Sequence, residues 1–176
     1  MYAIIDVETT GGKRDEEALI EIAIFRYDGH KVVDEFCSLV NPEKPILLYV
    51  QRLTRINAEL LCFEPRFDSV AERITVITEG AILVGHNVAF DYYVLKLEFE
   101  RLGIPFERDI IDTLDLSKKF FPGQASYSLG KLCRSIDIHL TNRHRALGDA
   151  RATLELFRRL LQKDEKREFF LFRPNE

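Results

Sequence analysis

Tryptophan is missing from this chain, methionine occurs once, and the three cysteines are an odd number with wide separations. Cys37, Cys62 and Cys133 sit among apolar neighbours, so they read as reduced core residues rather than as a disulfide framework or a zinc site. No apolar run approaches the ~18 residues that a membrane span requires. The N-terminus carries acids where a secretory leader has a basic patch followed by an apolar core. These absences predict a protein without membrane association and with a cytoplasmic location. There is no internal repeat and no low-complexity tract. An overall excess of positive charge is lacking too, since the formal net charge is -4 at pH 7. That balance argues weakly against a nucleic-acid partner for the chain taken whole.

What is present is 176 residues, 46% of them hydrophobic, enough for one domain with a substantial core. The charge is unevenly spread. Residues 1–100 are acid-rich, whereas Lys118, Lys119, Lys131, Arg134, Arg143, Arg145 and Arg151 face only Asp137 and Asp149 as local acids between positions 117 and 151. This predicts either a local basic surface or a solvated charged face.

The opening stretch is an apolar run, Tyr2-Ala-Ile-Ile, that meets Asp6-Val-Glu8-Thr-Thr-Gly11. On a strand, alternate side chains share a face, so Asp6 and Glu8 project to one side together with Ile4. Two carboxylates there either mark a solvated strand end or repel one another until a cation lies between them. Gly11 to Glu17 is a polar loop. Ala18 to Tyr27 alternates, placing Leu19, Glu21, Ala23 and Phe25 on one face. Asp28-Gly29 is a hairpin turn signal, and a third strand follows from Lys31 to Val40 before Pro42 and Pro45 break it.

The period then changes. Leu53, Ile56, Leu60 and Leu61 recur at helical spacing, and Asp68 is placed to N-cap a helix carrying Val70, Ile74 and Ile77 that ends at Gly80. Ala81 to Gly85 is a short buried strand leading into His86-Asn87. From Val88 to Leu102, the residues Val88, Leu95, Phe99 and Leu102 form one stripe that includes Asp91. That carboxylate either faces a site or caps the helix start. Asp109 to Asp112 makes a fifth strand, with Asp112 expected to cap the following helix rather than to bind metal. Helices over 116–121 and 128–136 precede the polar loop Thr141 to Arg145. A final helix, Ala146 to Gln162, is expected to bury Ala150, Leu154, Phe157 and Leu161. Asp149 lies in its first turn, where the helix dipole favours an acid, and His144 lies just outside.

Three stretches in order, Asp6-Val-Glu8-Thr-Thr-Gly11, Gly85-His86-Asn87-Val-Ala-Phe90-Asp91 and His144-Arg-Ala-Leu-Gly-Asp149, resemble the motifs of the DnaQ-like (DEDDh) superfamily of 3′-to-5′ exonucleases. Within that superfamily the chain is similar to the epsilon proofreading subunit of bacterial DNA polymerase III. The resemblance covers nearly the whole chain. It implies an α/β, ribonuclease-H-like fold: a five-stranded mixed sheet, second strand antiparallel, with helices on both faces. An exonuclease domain would span 1–163, leaving 164–176 as a C-terminal tail that packs on the domain or docks through Phe169 to Phe172.

The implied activity is metal-dependent 3′-to-5′ hydrolysis of single-stranded DNA ends to nucleoside monophosphates, in proofreading or DNA repair, with a DNA polymerase subunit as a candidate partner. An exoribonuclease of the oligoribonuclease or ribonuclease T type, and a non-catalytic 3′-end-binding module, are the alternatives. Two divalent ions about 3.5–4 Å apart suit phosphodiester cleavage, and Mg²⁺ or Mn²⁺ takes hard oxygen ligands. By resemblance Asp6 bridges both ions, Glu8 and Asp149 complete one site, Asp91 holds the other, and His144 is the general base, with His86 structural. Thr9 and Thr10 would hold the terminal 3′ hydroxyl, Phe90 and Asn87 would meet the last nucleotide, and Ile56 would wedge between the final two bases. Arg55-Ile56-Asn57 stands where the family often has Gly-Ile-Thr.

Overall fold

The computed structural model describes residues 1–164. Five strands form one sheet: β1 (Tyr2–Thr9), β2 (Leu19–Tyr27), β3 (Val32–Leu39), β4 (Ile82–Gly85) and β5 (Ile110–Asp112), in the order β3-β2-β1-β4-β5. β2 is antiparallel to β1 and to β3, whereas β4 is parallel to β1 and to β5. The expected five-stranded mixed sheet with an antiparallel second strand is therefore present. It is central enough that β1 and β2 are apolar on both faces, as strands covered on both sides must be.

The two faces carry different helices. Ala3, Ile5 and Val7 of β1 pack against α3 (Phe67–Thr78) and α4 (Val88–Arg101), in a core with Ile74, Leu95 and Phe99. On the opposite face, Ile4, Ala23, Phe25 and Val84 meet Ala146, Ala150, Leu154 and Phe157 of α7 (Ala146–Lys163). Asp6 and Glu8 share the face of Ile4, which directs them towards α7. A third cluster joins α7 to α5 (Thr113–Phe120) and α6 (Leu129–Ser135) through Leu132, Cys133, Leu156 and Leu160. The last helix is thus buried over a wider arc than its Ala150-Leu154-Phe157 stripe predicts. Leu160 is fully buried, while Leu161 is only partly so.

Several expectations need correction. The spacing of Leu53, Ile56, Leu60 and Leu61 does not make one helix: α1 (Leu48–Thr54) and α2 (Ala58–Leu61) are separated at Arg55, whose φ is 61°. Asn57 starts the second by accepting the amide hydrogen of Leu60 at 2.8 Å. Asp68 is not an N-cap, because Phe67 turns into the core and the helix begins one residue before it, after Arg66. Cys37 and Cys62 are exposed, and only Cys133 is a core residue. Cys37 lies on the edge strand β3, which alternates between covered and open positions. Asp112 does cap α5, accepting from the amide of Leu114 at 2.8 Å. The tail containing Phe169 to Phe172 lies outside the described residues. Among the described residues no helix is long and apolar enough to cross a membrane.

Candidate active site

Parallel strand β4 stops beside the middle of β1, its last pairing being Val84 with Ile4, so Asp6 and Glu8 lie on the part of β1 that runs past it. The chain leaves β1 towards β2 and leaves β4 towards β5. Such a divergence opens a crevice beyond the carboxyl ends of the strands. Asp6 and Glu8 stand at that end of β1. α7 enters over them and brings Asp149 in its first turn. Carboxylate oxygens of Asp6, Glu8 and Asp149 lie within 4.8 Å of one another, a spacing at which one cation can touch all three.

Asp91 arrives from the other side of the sheet. It is buried in the first turn of α4, where it could have served as a cap; instead its Oδ1 accepts the amide hydrogen of Val7 at 2.9 Å. That bond fixes the start of α4 to β1 between the two acids of the opening motif. Gly85 and Asn87 shape the approach: a Cβ on Gly85 would sit 3.0 Å from Val88 Cβ, and Asn87 adopts φ 71°. Asn87, which is exposed, donates its amide hydrogen to the carboxylate of Asp112 at 3.0 Å.

The electrostatics follow from crowding acids in a poorly solvated place. Burial, reinforced by Asp91, Asp149 and Glu8, holds the Asp6 carboxyl well above the usual carboxylate range. Burial and Asp149 push Glu8 up to about 7, with Arg145 opposing. Burial raises Asp91 to about 8 in spite of its bond from Val7, and burial raises Asp149 as well. Four carboxyls that resist ionising together form a site that a cation would relax. The donor set is all oxygen and free of cysteine, which fits a hard divalent ion.

His144 is half-buried at the mouth of the same site, with its ring held below the ordinary histidine pKa, first by burial and then by Arg143. Its φ is 61°, and its amide donates to Asp149 Oδ2 at 2.8 Å. Gly148 makes this turn possible: a Cβ there would lie 2.3 Å from the Thr141 carbonyl oxygen. His144, Asp6 and Asp149 line a cavity of about 480 Å³ that continues past His86 and Asn87 to Tyr127, Gly130 and Arg143. His86 has a structural place, bridging Thr113 Oγ1 at 3.0 Å and the Tyr127 carbonyl at 2.7 Å.

The expected substrate contacts fare unequally. Phe90 is partly buried against the core, so part of its side chain remains accessible. Thr9 is buried, with its hydroxyl bonded to Glu17. The Thr10 amide is already committed to the Ala18 carbonyl at 2.9 Å, and its own carbonyl accepts from Leu47 at 3.0 Å, so its backbone offers no free donor to a 3′ hydroxyl. Ile56 is 0% exposed and packs with Ile20, Ile46, Val50 and Leu61. It cannot reach between two bases from there. The exposed apolar residues of that region include Leu48, Tyr49 and Leu53 of α1, along with Leu47, Leu60 and Phe63, and the Tyr49 hydroxyl lies against Gly11.

Sequence reasoning also passed over Glu21, a buried acid of β2 directly across the sheet from Glu8. Its signal was visible as the lone acid on the Leu19-Ala23-Phe25 face of an otherwise apolar strand.

A ribonuclease-H-like sheet with acids gathered from β1, α4 and α7, and a histidine beside them, defines a nuclease-type domain. A family profile described as "Exonuclease" matches residues 3–157, and the chain belongs to that family, in agreement with its DnaQ-like (DEDDh) motifs. The chain is 36% identical over 166 residues to the 3′-5′ exonuclease DinG of Staphylococcus epidermidis, a match that covers 94% of this chain and 18% of that protein. It is 33% identical over 162 residues to the PolC-type DNA polymerase III of Caldanaerobacter subterraneus, covering 92% of this chain and 12% of that one. The chain therefore spans less than a fifth of either relative. Exonuclease X, solved in complex with 5′ overhanging duplex DNA, superposes with a TM-score of 0.75 at 27% identity, covering 93% of both chains.

Proposed function

We propose that this exonuclease domain removes nucleotides from the 3′ end of single-stranded DNA, releasing nucleoside 5′-monophosphates, in proofreading or DNA repair. The observation that carries the reading is the convergence of Asp6, Glu8 and Asp149 within 4.8 Å, with His144 beside them. Asp6, Glu8, Asp149 and Asp91 would hold two Mg²⁺ or Mn²⁺ ions. When bound, such ions supply stabilisation of charge on the attacking and leaving oxygens.

The residues of the chain do the remaining work. His144 accepts the proton of the attacking water, a role favoured by a ring that stays neutral near neutral pH. The water oxygen attacks phosphorus, the bond from phosphorus to the 3′ oxygen of the penultimate nucleotide breaks, and that oxygen takes a proton from solvent water to become the new 3′ hydroxyl of the shortened strand. Phe90 stacks on the terminal base, a contact that tolerates any base. Thr9 and Asn87 border the terminal nucleotide. Arg143, exposed on the cavity wall, supplies positive charge for the phosphates leading into the site.

The PolC-type relative, a DNA polymerase, favours DNA as the polymer and a polymerase-linked setting. RNA 3′ ends are the second substrate class, and matched DNA and RNA oligomers with a common sequence decide between them. Faster Mg²⁺-dependent release of mononucleotides from the DNA strand is expected. Preferential RNA cleavage would reassign the substrate, and tight metal-dependent binding without turnover would make the domain a 3′-end binder.

A further inference from the structure

Glu21 lies outside all three motif stretches, yet its carboxylate is spent entirely on the third. Both of its oxygens receive Arg145 Nε at 3.1 Å, Oε1 also receives an Arg145 terminal nitrogen at 2.7 Å, and Oε2 accepts the Ala146 amide hydrogen at 2.8 Å. Arg145 stands at the N-cap of α7 and offers no side-chain cap of its own. The buried amide at the start of that helix, which has no partner within the helix, is therefore capped from another element, by a buried acid of β2. Glu21 is 3% exposed and has no oxygen left for a metal ion.

The position of this acid matters. Glu21 pairs in register with Glu8 on the adjacent strand. The two residues it grips, Arg145 and Ala146, directly follow His144. His144 in turn is held to Asp149 through its own amide. One carboxylate thus ties the turn bearing His144 and Asp149 to the strand pair bearing Glu8. It also engages a guanidinium near enough to Glu8 to act on its charge.

We propose that the Glu21–Arg145 pair is a positioning device: it locks the entry of α7 in register with β1, so that Glu8, Asp149 and His144 face a common point. The inference rests on the exonuclease reading given above. A bidentate arginine–carboxylate fork suits this task, because its planar geometry fixes orientation as well as distance. Against apolar packing a buried pair of this kind adds little net stability, but removing one partner strands the other charge and also lowers stability, so the split between kcat and KM, and not melting, carries the test.

The test compares the wild-type chain with Glu21→Gln, Glu21→Asp and Arg145→Lys on a single-stranded DNA oligomer, titrating Mn²⁺ or Mg²⁺. Glu21→Gln preserves shape but loses the charge. Its kcat is expected to fall roughly 10–100-fold and its half-saturating metal concentration to rise, the size seen when partners of metal ligands are removed. KM for DNA should stay within about twofold, since no substrate contact is lost. Glu21→Asp, which keeps the charge, should recover part of the rate. If Glu21→Gln does not fold, Arg145→Lys carries the test, with the same split between kcat and KM. Wild-type kcat and metal dependence in a folded Glu21→Gln or Arg145→Lys would overturn the positioning role. A wild-type chain without activity would overturn the exonuclease reading and this inference together, which separates the two failures.

Discussion

At the scale of single residues, the site is a conflict among acids that the fold sustains. Glu8 is raised to about 7 and Asp91 to about 8 by burial, and each worsens the position of Asp6. Residues are not left in such places for stability, and carboxyls perturbed by desolvation and by one another cluster at functional sites. His144 is the complementary case, an imidazole whose pKa burial and then Arg143 lower. Replacing it by alanine should lower kcat by roughly 10²–10⁴-fold with KM little changed, as expected for a lost general base; equal kcat values in steady-state assays would remove it from that role. Ile56 makes an opposite prediction. Because it is fully buried among Ile20, Val50 and Leu61, Ile56→Ala should cost about 2–5 kcal/mol in denaturant unfolding. If its role were to separate bases, KM would rise and stability would hold. Asp6, Glu8 and Asp91 could be read from the sequence because each is an acid on an apolar pattern, whereas His144, in a polar loop, could be read only through the resemblance of its motif. The burial of Ile56 could not, since periodicity shows that a residue shares a stripe and not which stripe faces the core.

At the scale of elements, the strands and the hairpin turn between β2 and β3 announce themselves, whereas the break between α1 and α2 does not. Alternation in β2 and the Asp28-Gly29 turn lead directly to the antiparallel pair, and Asp28 does accept the amides of His30 and Lys31 at 2.8 Å. The break between α1 and α2 was hidden because Arg55 takes a left-handed backbone conformation that its residue type does not advertise. Glu98 was hidden for another reason. It lies on the apolar face of α4, where its carboxylate accepts the Leu19 amide at 2.8 Å and pairs with Arg101 at 3.0 Å. Arg101 then holds the carbonyl of Glu17 at 2.7 Å, steadying the loop that follows the opening motif. Long-range polar partnerships of this sort leave no mark in local spacing. The entry of α7 gives the sharpest prediction at this scale. Gly148→Ala places a methyl group against the Thr141 and Asn142 carbonyls, so the turn bearing His144 must shift. A loss of about 1–3 kcal/mol in stability is expected, with a fall in kcat larger than the change in KM. Unaltered melting and kinetics would show that the turn does not constrain the site.

At the scale of the whole molecule, the crowded acids link stability to pH and to metal. Glu8 and Asp91 bind their protons more tightly in the folded chain than their ordinary values of 4.5 and 3.8 allow when unfolded. The folded state therefore holds more protons than the unfolded state between those values and about 7 to 8. Stability must fall as pH rises through that window. Without metal, the melting temperature should be lower at about pH 8 than at about pH 5. Mg²⁺ or Mn²⁺ should reverse the order. Metal at 100 times its dissociation constant adds about 2.7 kcal/mol, or roughly 5–10 °C for a domain of this size, and adds less at the acid end, where the ligands are protonated. A melting temperature that rises with pH in the metal-free chain, or that ignores metal at pH 8, would contradict this account. The most direct measurement follows a 5′-labelled single-stranded DNA oligomer with Mg²⁺, comparing the wild-type chain, the same chain with EDTA, and Asp6→Ala. Stepwise shortening from the 3′ end with release of mononucleotides, abolished both by EDTA and by Asp6→Ala, is the expected result. Shortening that survives either treatment would contradict the claim that the carboxylates gathered around Asp6 form a metal-dependent catalytic centre.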